Sequence, residues 1–525
     1  MSIQNSIPKK GGLRGVPSVV PIDQLRPDLR EFLHTCESCL GPSGRLKMTV
    51  SSTGSLRTTA TSSRLWTLLQ VPSLDPIVYV YDLLQVTHPL VECILQAGSG
   101  LKDHGLFFAS LTARLLYSHE EKKDFVSPEW LAERIERAAV PLDLSSLPAL
   151  LSLARTQLSA QASACGLTKG EVNTLAVKVL EAWLVSLPVG GGEIGDVVVR
   201  VREGGAGDVD VVPGLLYKYE PTFKGPLQRR EGVQVALYNI MLDHHQGGEE
   251  WDGIQLEYRR GHEGPSLDLV SQLKGLGVGL LLCQKVVSEN VRAQLEHKLG
   301  IHVVERLGTA AFSRVARVVG GRIISSTAYK LEQKDLGRVD VVEEVEVQGV
   351  NYLRLGGAGL VSLVVGSMGE EQGEELELVL EKSLAGLSSL ATQARPRALP
   401  GGGCTESVLA VQSGGSFAKA LTSLALLPKG LSKDEAWVDV DHGHLWADQS
   451  ESCMCGSLQG RMKRTLLPLL EVLHRPAMDV KPVKHVPGDP GTRLVLDSLE
   501  TKKRALELAM ETSANLSDIG VIVNC

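Results

Sequence analysis

The chain has 525 residues, of which 43% are hydrophobic and 22% charged, and its formal net charge at pH 7 is -7. This composition is that of a globular protein and excludes a disordered or fibrous chain, and the length predicts about three domains rather than one core. The acidic balance excludes a dedicated nucleic-acid-binding protein, which would need a basic face to displace counterions from phosphate.

Export and membrane insertion are not expected. Residues 1–15 carry lysines but no apolar run after them, so they do not form a signal peptide. The longest apolar stretches, such as Leu280–Cys283, have the length of a buried strand and are too short to span a membrane. The 9 cysteines therefore predict reduced thiols and a cytoplasmic protein.

Two groups of residues have the chemistry of metal ligands. Cys36 and Cys39 form a Cys-x-x-Cys pair. The second group consists of His442, His444, Cys453 and Cys455. Zinc accepts these ligand types, but the Cys-x-Cys spacing is tight and the segment between the pairs is an ordinary polar turn. A zinc-dependent binding module and a surface hairpin therefore stand as alternatives, and no metal is expected.

Helical patterns dominate the first part of the chain, after a loose arm over residues 1–30. A helix is predicted from Asp28 to Cys39, and the turn-forming cluster at 40–44 ends it. Residues 64–96 are mostly apolar and predict a helix interrupted by an insertion at 72–82.

A further helical region is predicted over residues 130–185 from its periodicity. Val172, Leu175, Val179 and Trp183 share one face there. The glycine-rich segment 190–195 lacks the Gly-Lys-Ser/Thr that completes a phosphate loop. We therefore predict a turn before a strand at Val197–Val201.

The middle third alternates strand and helix patterns. Strands are predicted at Gly279–Gln284, Ile301–Leu307 and Ile323–Ser325. One helix begins after the N-cap residue Ser288, and another occupies residues 309–319. This order predicts a small parallel sheet with covering helices.

The last third returns to helices, predicted near 374–392, 416–427 and 498–516, with a hairpin around 437–447. Because helical regions flank the α/β region, the two ends are expected to pack together with that region inserted between them. The first two of these helices are separated by Gly401–Gly403. Glycines admit backbone angles closed to other residues, so this run predicts a hinge or a close backbone approach to a ligand.

Five motifs occur in the order and rough spacing of group II chaperonin (TCP-1/cpn60) subunits. They are Cys39–Arg45, His88–Pro89, Leu282–Lys285, Gly300–Ile301 and Gly401–Glu406. The chain resembles this family over nearly its whole length, which implies a multidomain α/β fold with equatorial, intermediate and apical domains. The implied segments are 1–140 and 403–525 for the helical equatorial domain, 141–208 and 346–402 for the intermediate hinge domain, and 209–345 for the α/β apical domain that holds client protein.

Four motifs are closer to one divergent branch, the McKusick–Kaufman and Bardet–Biedl syndrome chaperonin-like proteins. They are Thr87–Pro89, Asp103–Phe107, Gly401–Glu406 and Gly443–Trp446. This resemblance implies an assembly factor for the Bardet–Biedl coat complex of cilia (BBSome), with client proteins, related chaperonin-like proteins and the cytosolic chaperonin ring as partners. It also implies a hetero-oligomer rather than a homo-oligomeric ring, located in the cytoplasm at the centrosome and basal body, with the nucleus as a further location.

The catalytic carboxylates of the family are not matched in this chain. Chaperonins hydrolyse ATP with aspartates that hold magnesium and position the attacking water. The resemblance places Ala60, His104 and Lys382 at these positions, although a shift of one residue would replace Lys382 by Glu381. Asp103, one position before His104, is the carboxylate left to compensate. Because a neutral imidazole is a poor ligand for a hard cation, hydrolysis is expected to be lost.

The part of the nucleotide pocket that the chain retains is mainly backbone. By resemblance it consists of Leu40, Gly41, Pro42, Asp103, Gly105, Gly401, Gly402 and Gly403. Main-chain N–H groups bind phosphate without side chains, so weak ATP binding or none is expected, without turnover. An ATP-dependent folding chaperonin that uses Asp103 and Glu381 is the alternative. The helix at 309–319 is the candidate client surface, although a core helix needs the same apolar face.

Overall fold

The computed structural model divides the chain into two compact units. One comprises residues 1–180, 201–208 and 366–525, and the other 181–200 and 209–365. The structure describes residues 18–41, 44–50, 56–70, 89–101, 103–118, 126–188, 195–218, 229–242, 267–326, 329–357, 359–426, 437–439, 466–468, 495–517 and 521–524. Both chain ends belong to the first unit, and the finer division into five domain segments stays a prediction.

Helices and strands are numbered in chain order over the described residues. The helices are α1 (Ile22–Glu37), α2 (Ser62–Gln70), α3 (Pro89–Gly98), α4 (Gly105–Ser118), α5 (Pro128–Ala138), α6 (Leu147–Ser159), α7 (Lys169–Ser186), α8 (Leu267–Gly275), α9 (Glu289–Ala293), α10 (Thr309–Val319), α11 (Glu370–Ala391), α12 (Cys404–Ser413), α13 (Gly415–Leu426) and α14 (Leu499–Ser517). The strands are β1 (Ser18–Pro21), β2 (Lys47–Val50), β3 (Leu56–Thr59), β4 (Val140–Pro141), β5 (Asp196–Glu203), β6 (Val209–Pro213), β7 (Leu215–Lys218), β8 (Arg230–Tyr238), β9 (Val278–Cys283), β10 (His302–Val304), β11 (Ile323–Ile324), β12 (Gly337–Val347), β13 (Val350–Gly356), β14 (Leu360–Ser367), β15 (Arg397–Pro400), β16 (Trp437–Asp439), β17 (Leu466–Pro468), β18 (Leu496–Ser498) and β19 (Val521–Asn524).

The first unit has a helical core centred on α4, which contacts α1, α3, α13 and α14. The side chain of Phe108 on α4 is fully buried, and its ring leaves no room for a side chain at Gly98 of α3, where a Cβ would lie 2.8 Å away. The predicted packing of the two chain ends is confirmed, because β1 pairs antiparallel with β19 and α14 packs on α4.

A small antiparallel sheet of order β18–β15–β4 brings distant parts of the chain together in this unit. Leu399 on β15 lies opposite Asp497 on β18. The chain leaves β15 directly into the three glycines and α12, and it leaves β18 directly into α14. The sheet therefore fixes the starts of α12 and α14 side by side.

The second unit is built on a mixed sheet of order β10–β9–β8–β12–β13–β7, with β11 on the β8 strand. Pairing is parallel among β8, β9, β10 and β11, as predicted for the middle third, and the predicted strands and the helix at 309–319 are confirmed. The sheet extends beyond the predicted parallel part, because β12 pairs antiparallel with both β8 and β13 and makes the whole sheet mixed. Apolar clusters cover both faces of this sheet.

The apolar face of α10, which was the candidate client surface, packs in the core of the second unit instead. Phe312, Val315, Ala316 and Val319 of α10 are buried in the cluster that includes Leu280 of the sheet. A face already covered by the chain's own sheet is not available to a client. The apolar periodicity of α10 therefore reflects packing, which was the alternative for this helix.

Some predictions fall on other parts of the chain. His442, His444, Cys453, Cys455 and the insertion at 72–82 lie outside the described residues. Trp437–Asp439 is a strand, but its partner is Leu466–Pro468, so the pairing does not lie within the predicted hairpin at 437–447. Among the helices described, each is either too short or too polar to cross a membrane.

Candidate functional site

A cavity of about 660 Å³ lies within the first unit. Its wall includes the turn after α1, the N-terminal ends of α4 and α12, and parts of α6, α11 and α14. The residues that decide its chemistry are Leu40, Gly41, Asp103, His104, Gly105, Phe107, Arg155, Gln157, Lys382, Gly402, Gly403, Glu406, Asp497 and Lys502. Gly401 packs beside the lining residues Val495 and Asp497, and Pro42 lies outside the described residues. The chain therefore brings together most of the predicted pocket.

Two glycines allow the close approach of backbone that shapes this cavity. A Cβ on Gly105 would lie 2.4 Å from the Ser62 hydroxyl, so only glycine lets the start of α4 meet α2. At Gly403, φ is 86° and a Cβ would lie 2.5 Å from the Ala425 carbonyl oxygen. Side chains rarely adopt this left-handed conformation, so both space and torsion require glycine here.

Asp103 is held by its neighbour His104. The His104 backbone N–H donates to Asp103 Oδ1 over 2.7 Å, and His104 Nδ1 lies 3.2 Å from Oδ2. His104 adopts φ of 61°, and its Nδ1 also lies 3.2 Å from the Thr501 hydroxyl. Burial by itself would raise the pKa of Asp103, but the charge and hydrogen bonds of His104, with the charge of Lys382, hold it well below its usual range. The carboxylate is thus ionised and already partnered.

The buried Glu375 binds the segment that contains Ala60 through hydrogen bonds. Glu375 of α11 accepts hydrogen bonds from the Ala60 N–H and the Thr59 hydroxyl, each over 2.8 Å. The Thr61 hydroxyl also lies 3.4 Å from Glu375 Oε2. Glu375 and Ala60 are 1% and 0% exposed, so this network is sealed from water. Sequence reasoning missed Glu375, because nothing local marks it among the other glutamates of its helix.

The only lysine buried among the described residues completes the cavity wall. Lys502 on α14 is 5% exposed, forms an ion pair with Glu406 of α12, and lies 3.6 Å from Asp497 Oδ2. Its Nζ also lies 4.0 Å from the centre of the Phe107 ring, within cation–π range. Burial alone would lower the pKa of Lys502, but Glu406, Asp497 and Asp103 outweigh it and raise that pKa. Sequence reasoning missed this residue too, because Lys502–Arg504 has the pattern of an exposed basic face on the predicted helix near 498–516.

Lys382 projects from α11 into the cavity lining. Its charge lowers the pKa of Asp103, which places the two groups in one electrostatic environment. Within the described residues the structure records no hydrogen bond or ion pair for Lys382. Glu381, the alternative at this position, does not line the cavity.

These residues do not fit a magnesium ion, which prefers several free carboxylate and water oxygens. Asp103 is bound by His104, and Glu406 and Asp497 share Lys502. Over the part of the chain that is described, no three His, Cys, Asp or Glu side chains gather as metal ligands. The Lys502 ammonium lies beside Glu406 and Asp497 and would compete with a metal ion for these carboxylates.

Cys36 and Cys39 are likewise poorly suited to metal binding. Both thiols are free and buried. Burial raises the pKa of Cys36 well above its ordinary value and that of Cys39 to about 11. A metal binds the thiolate, and these thiols stay protonated near neutral pH.

Comparison with known proteins shows which family the chain is similar to. A sequence model of the TCP-1/cpn60 chaperonin family matches residues 33–413. The chain is 25% identical to "Molecular chaperone MKKS" of Homo sapiens and to that of Mus musculus, each match covering 95% of this chain and 96% of the relative. It is 24% identical to thermosome subunit beta of Sulfolobus acidocaldarius over 74% of each chain.

Among solved structures, the open-state monomer of a group II chaperonin from Methanococcoides burtonii matches with a TM-score of 0.47 and 16% identity. That match covers 82% of this chain and 98% of the other.

Proposed function

The chain belongs to the TCP-1/cpn60 chaperonin family, and from this premise we propose that it is an assembly factor that binds client proteins and partner subunits without hydrolysing ATP. The family match, which extends over most of the chain, confirms the predicted chaperonin-subunit fold class. Its relatives include molecular chaperones of mammals and thermosome subunits of archaea. Chaperonin-type function follows from the family, and the more specific role is our proposal.

The proposal that the chain does not hydrolyse ATP rests on one observation, the pairing of the carboxylates in the cavity. The positions that resemblance assigns to catalytic aspartates hold Ala60, His104 and Lys382. Of the carboxylates that do line the cavity, Asp103 is bound by His104 and the other two by Lys502. Phosphoryl transfer needs a carboxylate that positions water and a cation that neutralises phosphate charge. This cavity has cations, but its carboxylates are engaged.

The proposed clients and partners come from the resemblance of the chain to the Bardet–Biedl branch of the family. The clients would be unassembled subunits of the BBSome, and the partners related chaperonin-like proteins and the cytosolic chaperonin ring. A hetero-oligomer at the centrosome and basal body, in the cytoplasm and with some protein in the nucleus, is the arrangement that fits such partners. The 25% identity to MKKS over nearly the whole chain supports this assignment.

The proposal predicts client binding that is independent of ATP turnover. Each BBSome subunit is expressed alone, then incubated with the purified chain in ATP, in a non-hydrolysable analogue, or without nucleotide. We expect at least one subunit to stay soluble and competent for assembly, to the same extent in all three conditions, as measured by size-exclusion chromatography. Serum albumin at equal concentration is the control.

Two outcomes would contradict this function. If no BBSome subunit were kept soluble, the client class would be wrong. If solubility improved only with hydrolysable ATP, the chain would instead act as an ATP-driven folding chaperonin.

A further inference from the structure

A groove of about 760 Å³ lies on the second unit, where strands β8 and β9 begin. Its walls are formed by the first half of β8, by the link between α8 and β9, and by Gln333. All of the lining residues belong to the second unit, and none of them lies on α10. The groove is therefore a feature of the second unit alone, separate from the cavity of the first unit.

Glycines take the place of larger residues along this groove. Gly232 in β8 adopts φ of 63°, a left-handed torsion that residues with side chains rarely adopt. In β9 the pairing with β8 passes over Gly279, which is therefore a bulge residue. Both glycines line the groove, together with Gly275 and Gly277. Because glycine within a strand often marks a close approach by another backbone or a ligand, the groove has room for an extended chain to lie against it.

A buried acceptor in the groove lacks a donor. The Oε1 atom of Gln234 is buried and has no hydrogen-bond partner, and Gln234 lines the groove. A Cβ on Gly277 would lie 3.7 Å from this atom, so the amide reaches across to the link between α8 and β9. A buried acceptor without a partner is costly. A ligand that brings an N–H group removes this cost, and every residue of an extended chain except proline carries one.

Arginine side chains give the groove an excess of positive charge. Arg230 lines it, and Arg338 of β12 holds its guanidinium beside Gly232, where a Cβ would lie 3.2 Å from Nη2. Among the residues that the structure describes, no hydrogen bond or ion pair is recorded for Arg338. Glu231 is the one carboxylate in the described lining, and it already pairs with Arg229 at 2.9 Å. The groove is therefore complementary to a ligand that bears carboxylates.

From these observations we propose that the groove binds an extended, acidic segment of a client protein. The carboxylates of the segment pair with Arg230 and Arg338, and one of its backbone N–H groups donates to Gln234. This deepens the proposed function, on which it rests, by giving the client surface and the chemistry of the client. Recognition then depends on charge and backbone hydrogen bonds, and it does not need the apolar face of α10, which the sheet covers.

Fluorescence anisotropy on the full chain tests the inference. The probe is a labelled peptide in which glutamate alternates with serine, and two matched peptides carry glutamine or lysine in place of glutamate. We expect the glutamate peptide to bind at least about 10-fold more tightly than the glutamine peptide, because it adds charge-assisted hydrogen bonds. The lysine peptide should not bind, and the affinity of the glutamate peptide should fall as salt is added.

Variants of the groove separate its two kinds of contact. Arg338→Glu should weaken binding of the glutamate peptide roughly 10- to 100-fold, whereas Arg338→Lys keeps most of the affinity. Gln234→Leu has a similar volume but no acceptor, so it should weaken the glutamate and glutamine peptides by the same factor, roughly 3- to 10-fold. Lys285→Glu is the control, since this exposed cation follows the opposite end of β9, and it should leave affinity unchanged. Hydrogen exchange of β8 and β9 verifies that each variant is folded.

Three results would overturn the inference. They are equal binding of the glutamate and glutamine peptides, an unchanged affinity in Arg338→Glu, and no binding of any peptide. Binding of a thymidine oligonucleotide as tight as that of the glutamate peptide would also refute it, because the groove would then attract any polyanion.

The solubility assay with BBSome subunits distinguishes failure of this inference from failure of the proposed function. A subunit protected equally by the wild-type chain and by Arg338→Glu would leave the function standing and show that the client lies elsewhere. If the wild-type chain protects no subunit, the proposed function fails, whatever the peptides do.

Discussion

Replacing Lys502 by methionine is expected to destabilise the first unit by about 3–5 kcal/mol. The ammonium is buried with Glu406 and beside Asp497, and methionine fills a similar volume but leaves both carboxylates without their cation. Removal of one partner of a buried ion pair is costly because the remaining charge stays desolvated. The pKa of Lys502 is raised above its ordinary value, so this stabilisation is complete at neutral pH and is lost only as the pH rises through that raised pKa.

The adjacent Lys503 provides a matched control for this variant. Its side chain is 27% exposed and pairs with the half-exposed Glu136 at 3.0 Å. Lys503→Met should therefore cost no more than about 1 kcal/mol. Hydrogen exchange of amides in α4 and α14 reports the stability of this unit alone, which global unfolding of a two-unit chain does not. Equal losses for the two variants would refute the assigned role of Lys502.

Glu375→Ala is expected to lower the free energy of unfolding of the first unit by about 3–4 kcal/mol. The carboxylate accepts bonds from the Ala60 N–H and the hydroxyls of Thr59 and Thr61, in a network closed to water. Alanine leaves three buried donors to find new partners, and hydrogen bonds to charged groups contribute about 1.5–3 kcal/mol each before rearrangement. Because Thr59 ends β3 and Ser62 begins α2, protection from hydrogen exchange should fall most in these two elements.

The control lies one residue earlier on the same helix. Glu374 is 52% exposed and pairs with Arg64 at the surface. Glu374→Ala should change stability by less than about 1 kcal/mol, because exposed ion pairs contribute little. A Glu375→Ala variant as stable as Glu374→Ala would show that the hydrogen-bonded network does not hold the Ala60 segment.

Local patterns were enough to predict the elements with a single periodic face. The helix at 309–319, the helix near 498–516 and the parallel strands of the middle third follow from apolar periodicity and capping. The antiparallel strand Gly337–Val347 was missed because its acidic residues interrupt the apolar pattern. Its pairing with β8 and β13 compensates for that weak local signal, and only the tertiary structure shows it.

The candidate site also contains some residues that could be predicted from the sequence and others that could not. Gly402 and Gly403 could be predicted because a run of three glycines is a local signal of unusual backbone geometry, whereas Gly105 was implied by the family resemblance. The ion pair between Glu406 and Lys502 could not, since the two residues are far apart in sequence and each has the pattern of an exposed side chain. Likewise, the buried Glu375 is recognisable only once Thr59 and Ala60 are packed against its helix.

The central proposal, that this chaperonin-family chain acts without hydrolysing ATP, is tested most directly by single-turnover ATP hydrolysis with saturating magnesium. The purified full chain and its Asp103→Ala variant are compared, because a contaminating ATPase would be insensitive to that substitution. We predict no phosphate release above the buffer background for either protein. Turnover by the wild-type chain that Asp103→Ala abolishes would contradict the claim and show that Asp103, despite its pairing with His104, serves as the catalytic carboxylate.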